Sequence, residues 1–314
     1  MTISTPAGGG ILLSGASGML GSSIAKALTH NGLTFSRLVR RKARSPEEIE
    51  WNPAPGGSVS DPDQLEGITA AIHLSGASIA GHRWTPAYKR ELADSRIAST
   101  RILSEALARL KSPPKVLIVA SAIGYYGDRG DEILDESSSA GAGFFPELCQ
   151  EWESASLPAA QAGVRVVHLR LGMIIGPYGG AMARLIPLFR LGLGGPLGNG
   201  RQWMSWISEA DAAGAALFAL STHAVSGPAN AVAPNPVTNA EFTRLLGRAV
   251  HRPAIVPAPA FALRLAFGQM ADEALLASTR VVPTRLLEAG FEFQHPTLAE
   301  AFTYALKPER PQSV

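Results

Sequence analysis

The chain of 314 residues carries 28 Lys and Arg against 26 Asp and Glu, a net charge of +2, and charged residues make up only 17% of it. A balance this close to neutral offers no broad cationic field for nucleic acid or for an anionic membrane surface, while the length is ample for one large or two modest domains. The single cysteine, Cys149, excludes an internal disulfide and a cysteine-based metal site and suits a reducing cytoplasm.

Residues 1–10 read as a flexible lead-in without the basic start of a signal peptide. An apolar run, Ile11, Leu12 and Leu13, then opens into Gly15-Ala16-Ser17-Gly18-Met19-Leu20-Gly21 and continues directly into a helical pattern. Strand, glycine turn and helix in that order form a dinucleotide site. Gly15 turns the backbone off the strand, Gly18 admits a pyrophosphate, and Gly21 lets the helix lie near the sheet. The phosphates then sit on the free amides of the helix N-terminus, so Gly15, Ser17, Gly18, Met19, Leu20 and Gly21 are the expected cradle.

Asn31-Gly32 ends that helix, and residues 34–39 read as a second strand that closes on Arg40, Arg41 and Lys42. The end of the second strand is where such folds meet the adenosine ribose, with an acid for a free 2′-hydroxyl and an arginine for a 2′-phosphate. Two arginines and no acid there select NADP(H), with Arg40 and Arg41 as the phosphate ligands. A short third strand is expected around Trp51. Residues 70–74 follow as a buried strand whose end, Leu74, Ser75, Gly76 and Ala77, is small enough to pass under a ribose. His73 within it reads as a satisfied core histidine.

Pro86 opens a helix expected to run to Lys111, with Leu92, Ile97, Ile102, Leu103, Ala106 and Leu110 as its core stripe. Residues 116–120 are a continuous apolar run, typical of a parallel strand covered on both faces, and they deliver Ala120 and Ser121 to the strand edge where open α/β sheets bind ligands. A loop over 124–143, a helix over 145–162 and a strand over 164–169 complete the alternation. The expected fold is therefore α/β: a Rossmann-like doubly wound parallel sheet over residues 11–172, with a smaller lobe over 173–314 covering the substrate. Some later segments are free to return to the first unit. Beyond Gly172 glycines and prolines punctuate the chain, with helices expected over 209–220, 239–250 and 283–289. The uncharged stretch 212–240 is broken by Gly227, Pro228, Pro234 and Pro236, well short of a membrane span. No His-rich metal pattern, nucleophile elbow or P-loop lysine is present.

Ser75-Gly76-Ala77-Ser78-Ile79, Arg83-Trp84-Thr85, Ser95-Arg96 followed by Thr100, and the run from Ser121 through Tyr125, Tyr126 and Gly127 stand in fixed order with the glycine motif. Trp152-Glu153, Leu169-Arg170-Leu171-Gly172, Gly179-Gly180, residues 203–207 with Asp211, and residues 286–293 continue it. Together, over about residues 10–305, they resemble the "epimerase family" of atypical extended short-chain dehydrogenases/reductases. The resemblance implies an NADP(H)-binding Rossmann domain, a small C-terminal substrate lobe, and oxidoreductase or nucleotide-sugar-epimerase-like activity.

The wider superfamily pairs a serine at the end of the fifth strand with a Tyr-x-x-x-Lys motif, whose tyrosine exchanges the proton that accompanies hydride transfer. Ser121 fits the serine. The expected Tyr and Lys positions fall on about Phe145 and Cys149, and none of Tyr88, Tyr125, Tyr126, Tyr178 and Tyr304 has a lysine four residues later. Tyr125 and Tyr126 are the replacement proton donors nearest Ser121 in sequence. Arg83 and Arg96 read either as clamps for a phosphate or carboxylate of the substrate or as ordinary ion pairs. Trp203 and Trp206 read either as walls of the substrate pocket or as core. Cys149 reads as a small buried filler, and Asp211 as an anchor for the helix that follows it. The expected partner is a small polar substrate, with no nucleic acid and no membrane; the oligomeric state stays open, a homodimer included. A non-catalytic NADP(H)-responsive binding module is the alternative that the missing pair raises.

Overall fold

The computed structural model describes residues 10–307, so the lead-in expected at the amino end lies, apart from Gly10, outside the described residues. The first strand, β1 (Gly10–Ser14), leads through the glycine turn into α1 (Met19–His30). β2 (Phe35–Val39), β3 (Glu48–Glu50), β4 (Ile68–His73), α2 (Pro86–Ala108) and β5 (Val116–Ala122) follow. α2 stops three residues short of Lys111, where Arg109 caps it. β6 (Ile133–Leu134) lies in the loop after β5. The single helix expected over 145–162 is two: α3 (Phe144–Ser154) and α4 (Leu157–Gln161). Pro158 lies in the first turn of α4, a position proline tolerates; inside a continuous helix it would lack a donor and clash with the carbonyl of Ser154.

β7 (Arg165–Leu171) follows, and then β8 (Met173–Ile175), α5 (Met182–Arg190), β9 (Trp203–Met204) and β10 (Trp206–Ser208). α6 (Glu209–Ser221) and β11 (Gly227–Ala231) then return to the sheet. β12 (Val237–Thr238), α7 (Asn239–Ala249), α8 (Ala260–Phe267), β13 (Arg280–Val281), α9 (Thr284–Glu288) and α10 (Leu298–Leu306) finish the chain.

The seven-stranded sheet runs β11-β7-β5-β4-β1-β2-β3, every neighbouring pair parallel. Strand side chains alternate between faces. Ile11, Leu13 and Ile118 pack with Ile24 and Leu28 of α1 and Leu217 and Phe218 of α6, while Leu12, Leu117 and Val119 pack with Leu103 and Leu107 of α2 and with Trp152. A separate apolar cluster joins Ile186 and Phe189 of α5, Phe242 and Leu246 of α7, Phe302 of α10 and Trp206. Asp211 anchors α6 as expected: its amide donates to the capping Ser208 Oγ at 3.0 Å, and its buried carboxylate accepts from the amides of Gln294 at 2.7 Å and His295 at 3.0 Å.

Candidate functional site

The glycine turn has the geometry of a phosphate cradle. Gly15 sits at φ +72°, where only glycine is unstrained, and a Cβ on Gly21 would stand 2.1 Å from the Gly15 carbonyl oxygen. Gly18 caps α1 without a side-chain hydrogen bond and no acid stands in the first turn, so those amides and their dipole are left for an anion. Gly15, Ser17, Gly18, Arg40, Arg41, Leu74, Ser75, Gly76 and Ala77 line one cleft. Met19 lies below the turn at Gly179 and Gly180, whereas Leu20 and Ala120 are buried in the core on opposite faces of the sheet. Neither side chain is among those lining the cleft, so the expected contact of Leu20 and Ala120 with the cofactor is corrected to a packing role.

The two arginines after β2 differ. Arg41 is committed to Glu48: Nη1 donates to Oε2 at 2.8 Å and Nη2 to Oε1 at 2.5 Å, and the Arg44 amide donates to the same carboxylate at 2.8 Å. The hydrogen bonds from Arg41 hold the Glu48 carboxyl down to about 2. Arg40 is exposed and faces the cleft without such a partner.

Beneath the loop at 74–77 lies a hydroxyl-imidazole chain. His73 Nδ1 meets Ser14 Oγ at 2.7 Å and its Nε2 meets Ser99 Oγ at 3.2 Å, while Ser75 donates to Ser14. Burial pushes His73 down to about 3, so it is the neutral core histidine the sequence suggests. Arg96, read as a possible substrate clamp, is instead 6% exposed: Nη2 donates to the Ala77 carbonyl at 2.8 Å, Nη1 to the Leu92 carbonyl at 3.1 Å, and its guanidinium lies over the Trp152 ring. It props the loop from inside.

At the end of β5 the side chains converge. Ser121 Oγ donates to Glu153 Oε1 at 2.7 Å; Arg170 holds both oxygens of that carboxylate, Nε to Oε1 at 2.8 Å and Nη2 to Oε2 at 2.9 Å. Arg170 Nη1 donates to the Tyr126 hydroxyl at 3.1 Å, which donates to Asn230 Oδ1 at 2.7 Å. Burial would lower the Arg170 guanidinium, but the Glu153 bonds more than offset this and hold it up. Burial pushes Tyr126 up to about 12. Fully enclosed, with its hydroxyl engaged twice, Tyr126 is not placed to exchange a proton with a ligand, which corrects its expected role. Tyr125 is half-buried with its ring 3.4 Å from the Arg170 guanidinium carbon. Phe145 and Cys149 pack with Leu92 and Trp84 in one apolar cluster against Tyr125 and Ala122, and burial pushes the Cys149 thiol up to about 12, as befits a filler.

The later residues close over this end. Glu273 accepts the Phe145 amide at 2.7 Å, capping α3. Arg83 is exposed and donates to the Leu265 carbonyl at 3.0 Å, joining the loop before α2 to α8. Trp203 is half-buried beneath the Arg280 guanidinium at 4.0 Å, with its indole N–H donated to Asp131 at 2.8 Å. Trp206 is fully buried and donates to the Asn235 carbonyl, so it is core and no pocket wall. Sequence reasoning gave no role to Glu153, Arg170, Asn230 or Glu48; the available signal was an arginine, Arg170, between two leucines near the end of a largely apolar parallel strand.

Residues 11–232 match the model of the NAD dependent epimerase/dehydratase family, and residues 258–305 match a domain of unknown function, DUF1731. The Mycobacterium leprae protein "Epimerase family protein ML0860" is 46% identical over 295 residues, 94% of this chain and 95% of that protein. Human "Epimerase family protein SDR39U1" is 34% identical over 295 residues, 93% and 97% of the two chains. The crystal structure of that human protein (isoform 2) with NADPH superposes with a TM-score of 0.85 at 31% identity, covering 94% of this chain and 98% of that one. A nucleoside-diphosphate sugar epimerase from Corynebacterium glutamicum gives 0.78 at 33% identity, covering 96% of this chain and 58% of that one.

Proposed function

The chain belongs to the NAD dependent epimerase/dehydratase family, and from that premise we propose that it is an NADP(H)-dependent oxidoreductase or nucleotide-sugar-epimerase-like enzyme acting on a small polar substrate. The observation that carries the reading is the cradle of Gly15, Gly18 and Gly21 opening on the cleft that Arg40 faces. The NADPH in the crystal of the human relative supports the same cofactor here. Gly15, Ser17, Gly18 and the first-turn amides of α1 would hold the pyrophosphate, Arg40 the 2′-phosphate, and Leu74 through Ala77 the ribose. When bound, NADP(H) supplies the hydride donor or acceptor.

The remaining chemistry belongs to the chain. With its proton directed to Glu153, Ser121 offers lone pairs, and so accepts a hydrogen bond from a substrate hydroxyl. Arg170 fixes Glu153 and thereby the direction of that hydroxyl. Tyr125 is the proton donor or acceptor of this reading, since Tyr126 is enclosed and Phe145 and Cys149 are apolar. A lone buried thiol suits action in the cytoplasm, and among the described residues no helix is long and apolar enough to cross a membrane. Purified protein screened with NADPH against carbonyl compounds and nucleotide sugars should oxidise the cofactor or isomerise a sugar. Ser121→Ala and Tyr125→Phe should each remove that turnover while NADPH still raises Tm; full activity in Tyr125→Phe would sink the assignment.

The second reading, a non-catalytic NADP(H)-responsive module, draws on the engagement of both Ser121 and Tyr126 within the protein. Then NADPH would raise Tm and no compound would turn over.

A further inference from the structure

Of the eleven large hydrophobic side chains exposed among the described residues, seven fall in two short stretches, 188–193 and 255–265, from 46% exposed at Leu188 to 77% at Ile255. The stretches are neighbours. The Val256 amide donates to the Gly194 carbonyl at 3.0 Å and the Ala258 amide to the Pro196 carbonyl at 2.9 Å, so the segment that leaves α5 is bonded to the segment that enters α8. On α8, Phe261 and Leu265 are four residues apart and share a helix face. Single exposed leucines are ordinary, but a contiguous apolar patch rimmed by polar groups marks an interaction site. Here the rim is cationic. Residues 182–208 hold three arginines and residues 242–271 four, with no Asp or Glu in either, an excess that the near-neutral total of the chain conceals. Arg244 meets Glu241 at 3.5 Å and Arg264 meets Asp272 at 2.8 Å, but no carboxylate is paired with Arg190, Arg248 or Arg252 among the described residues. Arg252 Nε donates to the Arg190 carbonyl at 3.2 Å, which fixes its guanidinium at the end of α5, beside Leu191. Ile255 borders a hollow of about 640 Å³ lined by Arg244, Arg248, His251 and Arg252 and by no acid.

We propose that this face docks on an anionic lipid surface, its apolar side chains entering the boundary between headgroups and acyl chains while Arg248 and Arg252 lie at the level of the lipid phosphates. Charge and shape decide among the occupants. A second copy would set the same unpaired arginines against each other across a two-fold axis, where like charges are costly. Of the seven apolar side chains, Ile255 alone borders the hollow and none lines the larger cleft. They project from the surface, which suits a fluid apolar layer that needs no matching shape better than a rigid protein partner. Arg83 donates to the Leu265 carbonyl at 3.0 Å, and Gly81 and His82 of the same loop line the larger cleft, so a docked molecule holds that rim of the cleft close to the membrane.

Co-sedimentation of the full chain with vesicles tests this, using phosphatidylcholine alone and phosphatidylcholine mixed equally with phosphatidylglycerol. The chain should pellet with the mixed vesicles and stay in solution with the neutral ones, and added salt should release it. Arg248→Gln combined with Arg252→Gln should weaken binding about thirtyfold, a factor of about five for each charge lost near the surface. Phe261→Ser combined with Leu265→Ser changes two solvent-exposed side chains and so spares the fold; it should abolish binding, while Leu157→Ser, exposed on α4, should leave it intact. Binding to neither kind of vesicle, or equally to both, overturns the proposal, as does a Phe261→Ser, Leu265→Ser chain that binds as tightly as wild type. A dimer in sedimentation velocity that the same double variant dissociates also overturns it, since a second copy then covers the face. Calorimetry with NADPH reads the nucleotide site separately, so either result there leaves this test standing.

Discussion

At the adenosine end of the cleft, recognition rests on backbone amides, small residues and an exposed arginine; at the end of β5 it rests on five side chains from five elements, each satisfied by another. The first end is open and its parts act singly. The second is a closed network in which Ser121, Glu153, Arg170, Tyr126 and Asn230 hold one another. Removing a part should therefore cost little at one end and much at the other, because a charge stranded in a buried network cannot turn to water.

The largest expected effect is at the closed end. Arg170→Leu strands the Glu153 carboxylate and should lower the unfolding free energy in urea by about 3–5 kcal/mol, with much of it recovered when Glu153→Leu is added. A loss no larger than that of an exposed arginine would erase the contrast.

Next is His73, buried between the two ends. Its folded-state value of about 3 lies below the ordinary 6.5, so the unfolded chain takes up the proton first. Stability is then complete above pH 6.5 and declines as pH falls from 6.5 toward 3, by about 2 kcal/mol between 6.5 and 5. The acid limb of a Tm-against-pH curve should flatten in His73→Gln; an equally steep limb would mean the histidine is charged in the fold.

At the open end, Arg40→Ala should weaken NADPH about tenfold in calorimetry and leave NADH unchanged. Arg41→Ala should spare that discrimination, since Glu48 already occupies its fork. Equal losses from both substitutions would mean that Glu48 releases Arg41 to the nucleotide. The smallest effect belongs to Glu48→Gln, in a pair whose arginine is exposed to solvent, and its urea midpoint should barely move.

The same contrast explains what could be read before folding. The glycine turn is legible because φ +72° at Gly15 and the contact at Gly21 admit one residue type, whatever lies elsewhere. The division between Arg40 and Arg41 is not, because it depends on the pairing of β2 with β3, which brings Glu48 opposite Arg37 and within reach of Arg41. Nor can adjacent tyrosines be sorted: a short helical turn sends Tyr126 inward and leaves Tyr125 at the rim. Glu153 and Arg170 stand on a helix and a strand whose own patterns are mainly apolar, and only the tertiary fold makes them partners.

The return of β11 to the sheet bears on how the protein is made. Once β7 has left the ribosome, its outer edge carries unpaired amides and carbonyls until residues 227–231 arrive, after the whole stretch from 172 to 226 has been synthesised. Through that interval the nascent chain presents a bare strand of Arg165–Leu171 to its neighbours, the kind of edge that invites intermolecular pairing. A gene fragment cut at Gly172 would make that interval permanent and should yield aggregate in place of a free-standing nucleotide-binding half.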